Sequence, residues 1–362
     1  MSDATMLQDI VNTVLDQVGR EPLRDLLFTA IEPKDLDEYL ARLSYYVAPS
    51  YLPFATDDSG TLVFHLYPGR DFEQSPILYV PNDEQEARFV CNKLATLPSA
   101  LWLWVCTYFR RKPEVLRQAT DAITAGIPDA RPVPEALWSF MGDDLISRWD
   151  CSIEKANQAW EIAGVGHPFV GAPMLDFMTK SQEALSLLEP FVASRSDVPE
   201  LVSALLAARS KMGLSIQTDD VFKVLSAEAW REQVNCRFDG RWRHRGEGIC
   251  EWDCTLRNIE DPESVLSGTP FEALIGHPDT YSGKDKEGSR TLLRVAEAFR
   301  KDGDRQGELR QRRNAATVSL ITFGEYPTED SMAIAQVCDA IAPDSLAATV
   351  ARESARVHEQ GP

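Results

Sequence analysis

Apolar residues recur every three to four positions through most of this chain, the spacing of helices with one buried stripe. Met6, Ile10, Val11, Val14, Leu15 and Val18 open the pattern, with Asp3 or Thr5 placed to cap a first helix and Gly19 placed to end it. A second helix is predicted over roughly Glu21–Ile31. A third follows Pro33, with Leu36, Tyr39, Leu40 and Leu43 on one face. The rhythm then breaks. Residues Tyr51 to Val80 open on Leu-Pro-Phe, turn at Asp57-Asp58-Ser59-Gly60, and continue into β-branched and aromatic residues. Two strands are expected there, Thr61–Tyr67 and Pro76–Val80, and two strands need a further partner to be stable.

Helical spacing returns over roughly Glu84–Leu94, Ser99–Arg110, Glu114–Ala125 and Pro134–Met141. It continues over roughly Ser152–Ile162, Ala172–Leu188, Val198–Lys211 and Asp219–Val234. Gly126-Ile127-Pro128-Asp129-Ala130-Arg131-Pro132 combines glycine, proline and charge, and predicts a domain boundary near residue 128. A three-stranded β-meander is expected near 234–259, around Asp239-Gly240 and Gly246-Glu247-Gly248. The chain closes in helices. Thr291–Lys301, a turn at Asp302-Gly303-Asp304 and Gly307–Val318 read as a helical hairpin similar to half of a tetratricopeptide-type pair. It has no second copy at a fixed period. Thr328–Ile341 and Asp344–Val357 complete the chain. The fold class expected is therefore α+β and predominantly helical. A small antiparallel sheet belongs to a domain over 1–128, and a mainly helical domain with the meander spans 129–362.

Charge narrows the classes of partner. A formal net charge of −19 repels phosphate backbones and anionic lipid, which disfavours nucleic acid and membrane and suits a basic protein partner. The start, Met-Ser-Asp-Ala-Thr, lacks a basic segment followed by an apolar one, and Ala100–Phe109 is too short to span a bilayer. Cytoplasmic localisation is expected. The seven cysteines are scattered, and Cys91 and Cys106 lie in apolar surroundings that suit reduced core residues.

Candidate chemistry concentrates in one segment, CRFDGRWRHRGEGICEWDC. Cys236, His244, Cys250 and Cys254 carry donor atoms that suit zinc, but only Cys250 and Cys254 approach the close spacing of a zinc knuckle. Buried thiols beside Trp252 in the meander are the reading that the spacing favours. Arg237, Arg241, Arg243 and Arg245, interleaved with Phe238 and Trp242, have the composition of a nucleic-acid contact, or of a stripe that neutralises an acidic neighbour. Arg310, Arg312 and Arg313 read as a solvated helical face paired with Asp304 and Glu308. The five histidines, His65, His167, His244, His277 and His358, form no metal-binding helix motif, and no nucleophile elbow or phosphate loop occurs. The acid pairs Asp57/Asp58 and Asp143/Asp144 suit turns and caps better than acid–base catalysis. No catalytic residue, cofactor or bound metal is assigned, and the protein is not expected to be an enzyme.

One stretch points to a family. Leu52, Pro53, Phe54, Asp57 or Asp58 and Gly60, then Pro76-Ile77-Leu78-Tyr79-Val80, then Asp83-Glu84, resemble the core pattern of the SUKH (SMI1/KNR4-like) superfamily. The resemblance covers residues 1–110 at most. It implies an α+β core that binds proteins, and many bacterial members are taken to be immunity proteins that neutralise toxins in the cytoplasm. The function expected is an immunity protein that acts by direct binding and occlusion. The alternatives are a helical scaffold or adaptor, and a zinc- or nucleic-acid-binding protein using the 236–254 segment.

Overall fold

A computed structural model of the chain describes residues 2–44, 51–82, 88–108, 112–139, 158, 162–164, 286–323 and 328–360. The described chain is predominantly helical, with one five-stranded antiparallel sheet in its N-terminal part. It divides into two compact units, one formed by Met1–Val170 with Ala342–Pro362 and the other by Gly171–Ile341. No helix among the described residues is long and apolar enough to cross a membrane. The expected meander near 234–259 lies outside the described residues.

In the first unit, α1 (Asp3–Val18) is capped by Ser2, whose hydroxyl oxygen accepts from the Thr5 amide, rather than by Asp3 or Thr5. Such a cap is worth about 1 kcal/mol. Gly19 ends the helix at φ 84° and donates its amide to the Leu15 carbonyl. Leu7, Val11, Val14, Leu15 and Val18 are fully buried along one stripe. Where the spacing predicts a helix over Glu21–Ile31, only α2 (Arg20–Asp25) forms. Leu27 then turns at φ 73°, and Thr29–Ala30 becomes a short strand, β1. Apolar periodicity does not distinguish a six-residue helix with a strand from one longer helix; the paired β2 backbone decides it. Pro33–Asp35 winds as a 3-10 turn into α3 (Leu36–Ser44), which buries Leu36, Leu40 and Leu43.

The sheet runs β1-β2-β3-β4-β5, with β2 (Tyr51–Thr56), β3 (Gly60–His65), β4 (Ile77–Pro81) and β5 (Arg88–Cys91). The helix expected over Glu84–Leu94 is thus overturned, because Arg88, Phe89 and Cys91 pair with Tyr79, Leu78 and Ile77. Pro53 is tolerated within β2 because β1 pairs only with Ala55 and Thr56, and the register against β3 shifts between Pro53 and Ala55. Leu52, Phe54, Leu62, Phe64, Ile77 and Tyr79 face a core shared with the helices. Tyr51, Thr61, Val63, His65, Leu78 and Val80 lie outside that core and are buried as well. A sheet buried on both faces reads as continuous apolar runs, which is why alternation in this stretch is blurred.

Helix α4 (Leu97–Tyr108) carries Pro98 in its first turn, where the missing amide hydrogen costs little. Helix α5 (Pro113–Gly126) packs on α1, α2 and α4. The segment read as a linker stays with this core: Ile127, Val133 and Leu137 are buried in it, the last on the short α6 (Glu135–Trp138). The unit therefore continues past residue 128.

The second unit contributes α7 (Lys286–Lys301), α8 (Arg305–Phe323) and α9 (Thr328–Ile341). The expected hairpin forms through Gly303 at φ 82°, with Asp304 donating its amide to the Phe299 carbonyl. The Asp304 carboxylate then accepts from the Gly307 amide and caps α8. Gly307 has no room for a side chain, since a Cβ there would lie 2.7 Å from Phe299 Cγ. Buried Ser289 and Ser319 hydroxyls, 3.0 Å apart, join α7 to α8, and α9 packs on α8. The last helix, α10 (Leu346–Gln360), belongs to the first unit and packs on α1, α3 and β2.

Candidate partner-binding surface

The turn between β2 and β3 is built around the Asp57 carboxylate. Its Oδ1 accepts from the Ser59 amide at 2.8 Å, the Gly60 amide at 2.7 Å and the Tyr79 hydroxyl at 2.7 Å. The first two bonds are local turn chemistry of an aspartate; the third ties the turn to β4. Around it, Thr56 Oγ1 donates to the Gly60 carbonyl at 2.7 Å. Asn82 donates its amide to the Ser59 carbonyl and its side-chain nitrogen to the Asp58 carbonyl. Gly60 is required here, because a Cβ would lie 2.6 Å from the Val80 carbonyl oxygen. Only Asp58 and Ser59 are left exposed at the tip.

Acids also line the exposed sides of the first three helices: Asp9 and Asp16 on α1, Glu21 on α2, and Asp37 and Glu38 on α3. Their neutralisation is partial. Arg20 spans Asp16 at 3.6 Å and Glu32 at 3.3 Å, Arg24 meets Glu21 at 3.4 Å, and Arg356 meets Asp37 at 3.1 Å. Pairs this exposed hold about 1 kcal/mol or less each and weaken with salt.

On the other face of the sheet, His65 stacks on Tyr51 with ring centroids 4.6 Å apart, and its Nδ1 lies 3.3 Å from the Tyr67 hydroxyl. All three rings are buried, His65 completely. The trio packs the sheet in this conformation, since no part of the imidazole reaches solvent. On α5, the Arg117 guanidinium forks onto Glu135 at 3.1 Å and lies 4.2 Å above the Trp138 ring. That ion pair raises Arg117 and lowers Glu135 from their ordinary titration ranges.

The arginine face expected on α8 is corrected in part. Glu308 pairs with Arg305 at 2.6 Å and Arg312 at 3.0 Å, as helical spacing predicts, and Arg310 lies 3.8 Å from Asp304. Glu308 and Arg313 are nonetheless almost completely buried, on a helix that packs against both α7 and α9. Nearby, burial holds the Asp330 carboxyl above its ordinary value, against the opposing pull of Arg312. Cys91 is a buried free thiol pushed up to about 12 by desolvation.

The candidates at Cys236, His244, Cys250 and Cys254, the arginines from Arg237 to Arg245, and Asp143/Asp144 lie outside the described residues, as do His167 and His277. Among the described residues no group of three or more His, Cys, Asp or Glu side chains is placed to hold a metal ion. The Asp57 turn was legible only as a turn; its tie to Tyr79 reaches from the β2–β3 turn to β4 and has no local signal. Comparison with protein-family models, curated proteins and solved structures finds no match to this chain.

Proposed function

We propose that this protein is a protein-binding module that blocks a basic partner by occlusion, in the manner of an immunity protein in the cytoplasm. The observation that carries the reading is a set of exposed acids on ordered elements of a chain whose net charge is −19: acids on α1 to α3, and Asp58 at the tip of a hydrogen-bonded turn. Acids fixed in place cost little to order on binding and steer a basic protein from a distance. The resemblance of Leu52–Val80 to the SUKH core supports the same reading. The test is co-expression with the product of the adjacent gene, which this reading expects to be a basic protein. A stable complex is expected, its affinity falling steeply as salt rises from 50 to about 300 mM. Asp58→Lys combined with Glu38→Lys should weaken it at least tenfold. A neighbouring product that neither binds nor is neutralised overturns the proposal.

A second reading, a helical adaptor, draws on the α7–α8–α9 stack and on Met332, which is 46% exposed on α9. Met332→Glu separates the two: it should disrupt docking by an adaptor and leave an acidic occluding surface intact.

A further inference from the structure

The last helix sits on the first residues of the chain. Helix α10 buries Ala347, Ala348, Thr349, Val350, Ala351, Glu353, Ser354, Ala355 and Val357, nearly its whole circumference. It rests on α1, α3 and β2, and Ala347 and Val350 join the same core as Leu7, Leu40 and Leu52. Small residues let its backbone approach closely. Its start is defined by Ser345, whose hydroxyl oxygen accepts from the Ala348 amide.

Two arginines one turn apart then orient it. Arg352 donates from Nε to Asp3 at 2.8 Å and from Nη1 to the Pro343 carbonyl at 3.2 Å. Arg356 donates to Asp37 at 3.1 Å and to Glu353 at 2.5 Å. Asp3 opens α1 and Asp37 opens α3, so each acid lies at a helix N-terminus, which favours negative charge. The helix therefore enters with a fixed direction and register, although the α1, α3 and β2 segments it packs on were synthesised more than 280 residues earlier (Thr56 against Leu346).

We infer that α1, α3 and β2 form a helix-receiving groove, and that α10 occupies it as a separable ligand. The covalent link through the intervening unit delivers the helix; the groove itself carries the recognition. Its ligand class is a 15-residue, small-residue helix with arginines at i and i+4 matched to Asp3 and Asp37. A consequence is that the N-terminal unit completes its core only when the end of the chain has been made.

The test starts from the intact, folded protein. A protease recognition sequence is inserted between Pro343 and Asp344, both exposed, and the purified full chain is cut there. The 344–362 fragment is expected to remain bound through size-exclusion chromatography. It should exchange with a fluorescently labelled synthetic 342–362 peptide, and the labelled peptide should bind with submicromolar affinity. In the same assay, a peptide carrying Arg352→Glu and Arg356→Glu should bind about tenfold or more weakly at low salt. Loss of the fragment on dilution overturns the inference, whatever becomes of the remainder. Equal binding of the charge-reversed peptide overturns the assigned recognition.

Discussion

Tyr79 donates its hydroxyl hydrogen to Asp57 Oδ1 at 2.7 Å, across 22 residues of sequence and the full width of β3. A turn made by local aspartate chemistry is thereby locked to the middle of the sheet. Tyr79→Phe removes the lock and leaves the turn's own bonds, so a loss of about 1–2 kcal/mol is expected in chemical denaturation. Asp57→Ala removes three acceptor contacts and should cost about 2–4 kcal/mol. A double-mutant cycle should show coupling between the two; strict additivity would mean that the bond contributes nothing in solution.

Gly126 ends α5 against the last turn of α1. A Cβ there would lie 3.0 Å from the Gln17 carbonyl carbon and still closer to its oxygen, and backbone cannot step aside as a side chain can. Alanine ordinarily favours a helix over glycine by about 1 kcal/mol. Here the clash outweighs that preference, and Gly126→Ala should destabilise by about 1–3 kcal/mol. An unchanged melting temperature would show that the two helices do not approach this closely.

Leu27 and Gly303 occupy the same place in two helix ends. Each turns into the left-handed region, at φ 73° and 82°, while the next amide reaches back to a carbonyl five residues earlier. Glycine pays no steric cost there, whereas leucine pays about 1–2 kcal/mol. Leu27 is also 39% exposed, so little packing depends on it. Leu27→Gly should stabilise the protein by about 0.5–1 kcal/mol, and Gly303→Val should destabilise it, both read from thermal melts.

Asp330 titrates above its ordinary value of 3.8 because burial disfavours its charge. The folded state then holds this proton more tightly than the unfolded state. Stability from this group is highest when both states are protonated and falls as pH rises from the ordinary value through the raised one. Asp330→Asn removes the buried charge, so its stabilising effect should be present at pH 7 and shrink towards pH 3. The comparison of wild-type and variant melts across that range checks the sign.

Cys91, pushed up to about 12, holds almost no thiolate at pH 8 and contacts no solvent. Mass mapping after brief alkylation of the native protein should find Cys91 unlabelled, and unfolding in denaturant should release it. Rapid native labelling would mean that β5 leaves the sheet edge readily.

Several elements follow from short-range chemistry and were legible directly. The stripe of Leu7, Val11, Val14 and Val18 with Gly19 after it makes α1, and the Asp302-Gly303-Asp304 turn makes the α7–α8 hairpin. So do β3 and β4, close to the two strands expected after the Asp57 turn, and the predominantly helical, α+β class. Each depends on residues within four or five positions, or on a single turn. Tertiary structure decided the rest. Strand β1 exists because β2 offers Ala55 and Thr56, and β5 because β4 offers Ile77, Leu78 and Tyr79; both segments carry helix-compatible periodicity of their own. The burial of Arg313 and Glu308 on α8 belongs to its tertiary packing and not to its own sequence pattern. The return of α10 to Asp3 and Asp37 could not be read from a helix whose small residues fit many partners. Pairing energies between distant segments depend on what lies opposite, and no local pattern carries that information.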